Sequence, residues 1–496
     1  MRRNTARSIV WNYAGYIYQI GINLVLTSYI VRHIAVAEYG LFLFVVSLSA
    51  TLYLLDMGIS YLLVQAYVAA VEKAETDRLN DLLSTAFVSL TAFGSVGVVF
   101  FAVLAALLPG PFNIPHEYLS EASFIFVIAA LVMQVSLPSI ALEQIYQASH
   151  RFDRINQIQL VTSTVSMILS IAVIGAGFHV AALALVQLMA ALLQLLLFVI
   201  ALPASVPQVR LSLMRFKWNL LKPLIRLSRW ALVHNLSMYA LDFLTWTILG
   251  SLGSMKEAAM FGLASKLPRQ LWNMVDKGAN VLLPLLSKFS AEADHINLQK
   301  TYLKAQKLIL GAIIPFVVLG CLFARPLLQV WAGSEYRSAT VVMQWLLLSA
   351  FAHAAGYSSD ELLYACGQAK KPALISLSEG IVIVASALFL IPRFGAAGLA
   401  AGMAVTQLLT NCGWFTSESC KLTHTSPRVF LRTVLGGLTW PLVVLTAEIL
   451  LIWTIWSHLS SLWLMIAATI SGCVYLVLWA VYTALPLYRN QTEIVA

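Results

Sequence analysis

Apolar runs of roughly twenty residues, the length needed for a helix to cross the hydrocarbon core of a bilayer, recur from near residue 8 to near residue 485. Nothing else in the chain constrains its fold as strongly. Only helices and closed barrels satisfy every backbone polar group in lipid, and runs this long suit helices. Charged residues make up 11% of the sequence and apolar ones 60%, against about 25% and 45–50% in soluble domains. That is too little charge for a soluble shell. We therefore expect an all-α integral membrane protein with about fourteen transmembrane helices, near 8–32, 40–70, 83–108, 119–146, 156–176, 180–202, 224–251, 258–287, 304–323, 340–365, 372–391, 395–417, 431–455 and 461–485, with ends good to about 2–4 residues. The longest connection is the basic stretch 203–223, and no loop has room for an extramembrane domain.

The first run follows Arg2, Arg3 and Arg7, as a signal peptide would, but it is too long and holds Asn12, Tyr13, Tyr16, Gln19 and Asn23, so it reads as retained. The five cysteines, Cys321, Cys366, Cys412, Cys420 and Cys473, have no CxxC spacing and no neighbouring histidine ligands. They read as small core residues, and no metal site is expected.

Placing the N-terminus in the cytoplasm puts most Lys and Arg in inside loops: Arg2 to Arg7, Lys73 and Arg78, Arg151 and Arg154, Arg210 to Arg229, Lys288 to Lys307, Lys370 and Lys371, Lys421 to Arg432, and Arg489. Only Arg32, Lys256, Arg325, Arg337 and Arg393 fall outside. This asymmetry predicts cytoplasmic N- and C-termini and an even number of spans. The net charge of +9 is then a topology signal facing anionic lipid head groups, and no nucleic-acid partner is expected.

Compared with itself, the chain shows short matches at offsets of about 216–223 residues. Asn12, Tyr16 and Gln19 align with Asn235, Tyr239 and Asp242; Tyr39-Gly40-Leu41 with Phe261-Gly262-Leu263; Asp56-Met57-Gly58 with Asp276-Lys277-Gly278; and Glu143-Gln144-Ile145-Tyr146 with Glu361-Leu362-Leu363-Tyr364. Phe178 to Gln187 likewise resembles Phe394 to Gln407. Six spans separate equivalent points, so the halves enter the membrane in the same sense, as parallel repeats. The expected organisation is an N-lobe over 1–202, a cytoplasmic basic linker over 203–223, a C-lobe over 224–417, and two unpartnered helices with a tail over 418–496.

Glu38-Tyr39-Gly40, followed by Leu54-Leu55-Asp56-Met57-Gly58-Ile59-Ser60, resembles the polysaccharide-transporter branch of the multidrug, oligosaccharidyl-lipid and polysaccharide exporter superfamily. The six-plus-six repeat and the two extra helices extend the resemblance over the whole chain. It implies two six-helix lobes around a cavity opening alternately to either side. Such a protein passes an undecaprenyl-diphosphate-type lipid-linked glycan, such as an O-antigen or exopolysaccharide unit, from the inner to the outer leaflet of a bacterial cytoplasmic membrane. A polysaccharide polymerase or other assembly proteins are the implied partners.

In the eighth span Lys266, Arg269, Asn273, Lys277 and Asn280 are separated by 3, 4, 4 and 3 residues, one narrow stripe at helical period. Intramembrane charge faces protein or water, and three cations on one face suit a pyrophosphate. The alternative is that Lys266 snorkels while Lys277 pairs with Asp276 or Asp242. Pro268 should kink this span. Tyr16, Gln19 and Asn23 in the first span, and His234, Asn235, Tyr239 and Asp242 in the seventh, either bond sugar hydroxyls or join helix to helix. Asp242 and Glu379 are candidates for a coupling ion. Asp56 is a third, although its repetition as Asp276 fits a brace of the fold better. Glu143 and Glu361, beside Arg151 and Lys370, are gate candidates, with ordinary loop pairing as the alternative.

A cation-coupled drug antiporter would stop at twelve spans and line its cavity with acids. A lipid II flippase would share the fourteen spans and the cationic wall. A membrane polysaccharide polymerase or ligase would need a sizeable outer loop with convergent acids, and the longest outer loops, around Pro109 to Glu117 and Arg325 to Arg337, offer only Glu117 and Glu335, too far apart in sequence to form an evident pair. With no Gly-rich nucleotide motif, zinc spacing or nucleophile elbow, neither enzymatic activity nor a cofactor is expected.

Overall fold

The computed structural model describes residues 2–50, 59–73, 75–107, 112–149, 151–220, 222, 243–279, 282–368, 370–436, 438–455 and 460–484. Among these residues every regular element is helical. Contacts divide the chain into two units, Met1–Ala259 and Met260–Ala496.

The first unit contains α1 (Arg2–His33), α2 (Val36–Ala50), α3 (Ile59–Glu72), α4 (Thr76–Leu107), α5 (Leu119–Ala148), α6 (Phe152–Gly175) and α7 (Val180–Ser205), then α8 (Phe243–Leu252). α5 is its centre, packed on α2, α3, α4 and α7. In the membrane-crossing part of α5 61% of residues are buried, against 28% in α4 and 22% in each of α6 and α7. Those three leave most of their residues exposed or half-buried, with Leu185, Met189, Leu192 and Leu196 forming an exposed apolar row on α7. Tyr67, Leu83, Leu142, Tyr146 and Phe198 form the core, and the Tyr146 hydroxyl donates to the Phe198 carbonyl at 2.8 Å.

The first part of the motif that carried the family resemblance, Glu38-Tyr39-Gly40, is structural here; Leu54 to Gly58 of its second part lie outside the described residues. The buried Glu38 carboxylate accepts the Val180 amide at 3.1 Å and meets His179 Nδ1 at 3.0 Å, so a negative charge sits at the positive end of α7. Glu121 joins it, accepting the Ala181 amide at 3.3 Å. Tyr39 is buried, and at Gly40 a β-carbon would lie 1.8 Å from the Met255 carbonyl oxygen.

The basic stretch after α7 is fastened to α4. The amides of Arg210, Ser212 and Lys217 donate to Asn80 Oδ1 (2.7 Å), Ser84 Oγ (3.2 Å) and Thr85 Oγ1 (3.0 Å). Arg215 pairs with Asp77 at 3.0 Å and Lys217 with Asp81. Residues 77, 80, 81, 84 and 85 share one face of a helix, so α4 presents a ladder of acceptors to this strap, which contains a 3-10 turn at Leu213–Arg215. The start of the expected free linker is thus part of the first unit.

The second unit follows from α9 (Met255–Ala264), which crosses the boundary, through α10 (Lys266–Ala279), α11 (Leu282–Ala291), α12 (His295–Leu322), α13 (Ala324–Trp331), α14 (Ala339–Ala365) and α15 (Lys370–Gln407). A π-helical stretch, Leu408–Phe415, leads to α16 (Thr416–Leu422), α17 (Pro427–Gly436), α18 (Thr439–Ile455) and α19 (Ser461–Trp479). The centre here is α14, again 61% buried, packed on α10, α11, α12, α15 and the π stretch. α5 and α14 carry the matching Glu143–Tyr146 and Glu361–Tyr364 segments. The C-terminal helices α18 and α19 pack on α12 and α13 through Leu319, Phe323, Leu445, Ile452 and Tyr475.

Eight helices among the described residues are long and apolar enough to cross a membrane, or nine if α17 and α18 form one bent span. The other expected spans fall on α1, on shorter described helices such as α2, α9 and α10, or partly or largely outside the described residues. The eleventh and twelfth expected spans are continuous in α15 and turn at Gly395, whose φ of 57° and ψ of −141° lie outside helical values. The expected kink at Pro268 is a break one turn earlier, at Ser265, which leaves the proline in the first turn of α10, where its missing N–H costs no bond. The cysteines depart from the core reading: Cys420 alone is buried, Cys321 and Cys366 are half-buried, and Cys412 and Cys473 are exposed.

Candidate functional site

Each unit holds a polar constellation at membrane depth. In the first unit three helices contribute residues at i, i+3, i+4 and i+7, the spacing that puts side chains on one face: Gln19, Ile22, Asn23 and Leu26 on α1, Gln159, Thr162, Ser163 and Ser166 on α6, and Gln187, Ala190, Ala191 and Gln194 on α7. Together with Val132 of α5 they line an open cleft of about 490 Å³. Gln19 Nε2 donates to Gln159 Oε1 at 3.3 Å, and Asn23 Nδ2 to the Gln19 carbonyl at 2.9 Å. The Thr162 and Ser163 hydroxyls turn back to carbonyls of their own helix, which leaves their lone pairs to the cleft. The lining contains no ionisable side chain. It offers donors and acceptors in equal supply and no fixed charge.

In the second unit α10 is strongly amphipathic. Lys266 is half-buried, Arg269 exposed and Asn273 half-buried along its length. Among the described residues no carboxylate forms an ion pair with Lys266. Asp276, at the other end of α10, meets His353 Nε2 of α14 at 3.0 Å. The His353 ring stacks on Trp272 at 4.2 Å and 6° and takes Tyr357 on its edge at 5.8 Å. One turn along α14, Glu361 accepts the Tyr357 hydroxyl. Asp360, beside it, lies within electrostatic reach of both Glu361 and Glu379. Glu379 of α15 accepts Thr410 Oγ1 at 2.6 Å and Asn411 Nδ2 at 3.4 Å, both from the π-helical stretch, a distortion common at functional sites. A β-carbon at Gly356 would lie 2.1 Å from Asn411 Oδ1, so the glycine is what lets α14 approach the π turn.

Of the residues singled out from sequence, Gln19 and Asn23 meet in the first unit's cleft. Lys266, Arg269 and Asn273 share α10, and Glu361 and Glu379 join one acidic group. Asp56, His234, Asn235, Tyr239, Asp242 and Asn280 lie outside the described residues, as do the side chains of Tyr16 and Lys277. The gate candidates have other neighbours: Glu143 bonds Gln147, Arg151 pairs with Asp153 and donates to the Ser205 carbonyl, and Lys370 is exposed while Lys371 and Lys421 both hold Glu418. Asp276 pairs with His353; the side chain of Lys277, its partner in the alternative reading, lies outside the described residues. Sequence reasoning passed over Gln159, Gln187, Gln194, His353 and Asp360. The signals were present: glutamines seven apart within an apolar run, and adjacent acids, Asp360 and Glu361, inside another.

The fold is that of the multidrug, oligosaccharidyl-lipid and polysaccharide exporter superfamily. The chain is similar to the inward closed conformation of the lipid II flippase MurJ, with a TM-score of 0.70 and 12% identity over 98% of this chain and 100% of that one. It is also similar to an inward-facing multidrug-resistance transporter of the MATE family, with a TM-score of 0.67 and 17% identity over 82% of this chain and 96% of that one. By sequence, residues 30–341 match the family described as polysaccharide biosynthesis protein. The chain belongs to that family. A Shigella flexneri protein whose name provisionally assigns it to O-antigen transport is 18% identical over 406 residues, 81% of this chain and 95% of that one. These relatives are transporters and flippases, not enzymes.

Proposed function

We propose that this membrane protein is a flippase that moves a polyprenyl-diphosphate-linked oligosaccharide from the cytoplasmic to the outer leaflet by alternating access. The observation that carries the reading is the pairing of family membership with the basic face of α10, which packs on the central helix α14. Lys266 and Arg269 stand one turn apart on α10, and Lys277 follows two turns on in sequence, a geometry that can hold the successive phosphates of a diphosphate. Arginine supplies a planar fork of donors and lysine a mobile point charge. The side-chain amides of Gln19, Asn23 and Asn235 and the hydroxyls of Tyr16 and Tyr239 take sugar hydroxyls in this reading.

Glu379, with Asp242 and Asp56, remains the proposal for coupling. A carboxylate held by Thr410 and Asn411 can change its bonding when it takes up a cation, and that difference biases one conformation over another. Glu143, Glu361, Arg151 and Lys370 are proposed to exchange partners as the ends open and close. The setting is a bacterial cytoplasmic membrane with both termini inside.

Purified protein in liposomes carrying a fluorescent lipid-linked glycan in one leaflet tests this. Label should leave that leaflet with the lipid chemically unchanged. Formation of longer glycans would instead show a polymerase. The full-length similarity to a lipid II flippase favours lipid II as a second substrate to run in the same assay, and faster transfer of lipid II than of an oligosaccharide-linked lipid would select that reading.

A further inference from the structure

The cleft between α1, α6 and α7 has a chemistry that the cationic helix lacks, and it discriminates between kinds of sugar. Gln187 and Gln194 stand on the α7 face away from Leu185, Met189, Leu192 and Leu196, which are exposed as a lipid-facing row is. Two half-buried glutamines at membrane depth are costly in contact with hydrocarbon, so they face water or a ligand. Neither has a hydrogen-bond partner among the described residues. Opposite them Gln19 and Gln159 are linked by a single bond of 3.3 Å, so most of their donors and acceptors are also open to the cleft.

We infer that this cleft is a subsite for an uncharged, hydroxyl- or acetamido-bearing sugar unit of the substrate, and that it excludes sugars carrying a carboxylate. The inference rests on the proposed transport of a lipid-linked glycan and names the sugar class that such a transporter accepts. Side-chain amides both donate and accept, which matches a sugar hydroxyl and pairs in register with an N-acetyl amide. Ile22 and Leu26 lie beside them for ring C–H groups or an acetyl methyl. A volume of about 490 Å³ lies within the roughly 300–1,000 Å³ of small-molecule sites. A carboxylate would lose hydration and meet no cation, since no lining residue is ionisable, and an unpaired charge is expensive there.

The test uses the full-length protein in nanodiscs and in liposomes, with two synthetic polyprenyl-diphosphate probes that differ only in their sugar, N-acetylglucosamine or glucuronic acid. We expect the neutral probe to bind at least about tenfold more tightly, and Gln187→Leu with Gln194→Leu to weaken its binding by about tenfold, the size of one or two lost hydrogen bonds. Gln187→Lys should shift the preference toward the glucuronate probe, a gain that misfolding cannot produce. Equal binding and transfer of both probes, unaltered by these variants, would overturn the subsite while leaving the flippase standing. The expected binding pattern without transfer of either probe would support the subsite and overturn the flippase. Binding of neither probe would overturn both.

Discussion

Gly40 has no room for a side chain, because a β-carbon would stand 1.8 Å from the Met255 carbonyl oxygen. The obstruction is backbone, which cannot rotate away, so Gly40→Ala should destabilise by about 1–3 kcal/mol, the usual cost of overpacking. Gly21, with nothing within 4 Å of the same position, is the control, and Gly21→Ala in a helix should be neutral or stabilising. Unfolding temperatures of the two variants in detergent measure this, and equal temperatures would show that the approach of α2 to residue 255 is not tight. Sequence marked Gly40 within a recurring motif, but its role depends on which backbone lies opposite, and a linear pattern does not record that. The same holds for Glu38, whose value comes from the amide of Val180, 142 positions away.

Asp294 caps α12. Its carboxylate accepts the Asn297 amide at 3.0 Å and the Asn297 side chain at 2.6 Å, and these bonds hold its pKa below the ordinary carboxylate value. A carboxyl whose folded pKa is depressed contributes stability that is fully present above its unfolded pKa, near about 4, and is lost as pH falls through the lower folded value. Asp294→Ala should therefore lower the unfolding temperature at pH 7 and make little difference near pH 2. A difference of the same size at both pH values would mean the cap acts through something other than its charge.

At the scale of elements, the strap after α7 makes a specific claim. Asp77 and Asp81 hold Arg215 and Lys217, and the ladder of Asn80, Ser84 and Thr85 holds the backbone. The exposed Arg215–Asp77 pair is worth little on its own, so Asp77→Ala alone should be mild, whereas Asp81 is buried beneath Lys217. Together, Asp77→Ala and Asp81→Ala should speed tryptic cleavage after Arg210, Arg215 or Lys217 several-fold, and an unchanged digestion rate would show that the backbone bonds alone hold the strap. Sequence reading placed a linker here because basic residues cluster, and it missed the strap because the acceptors lie over a hundred residues upstream. Hydropathy also ran α9 and α10 together as one span and did not show the 61° bend between α17 and α18. A sliding apolar average sees composition, while a break at Ser265 is a matter of local geometry, signalled only by Pro268 three residues on. Where an element is long, apolar and central to its unit, as in α5 and α14, the reading was close: 119–146 and 340–365 against Leu119–Ala148 and Ala339–Ala365.

For the whole molecule, class was legible from the length and number of apolar runs, and the family from one motif together with the repeated organisation. The sites were legible in part. Charge in an apolar run is conspicuous, so Lys266, Arg269 and Glu379 stood out. Neutral amides are easily passed over as helix-to-helix contacts, and the cleft of Gln159, Gln187 and Gln194 becomes visible only once three helices are laid side by side. His353 was missed because its meaning comes from Asp276 and Trp272 on another helix.

The central claim is that a diphosphate-linked glycan crosses the membrane along intramembrane cations. The most direct measurement is the rate at which liposomes containing purified protein move a fluorescent polyprenyl-diphosphate glycan out of its starting leaflet, comparing the native chain with Lys266→Ala combined with Arg269→Ala. Loss of one or two charge-assisted hydrogen bonds of about 1.5–3 kcal/mol each predicts a fall of tenfold or more at equal protein content and unfolding temperature. Transfer by the double variant at the native rate would contradict the account.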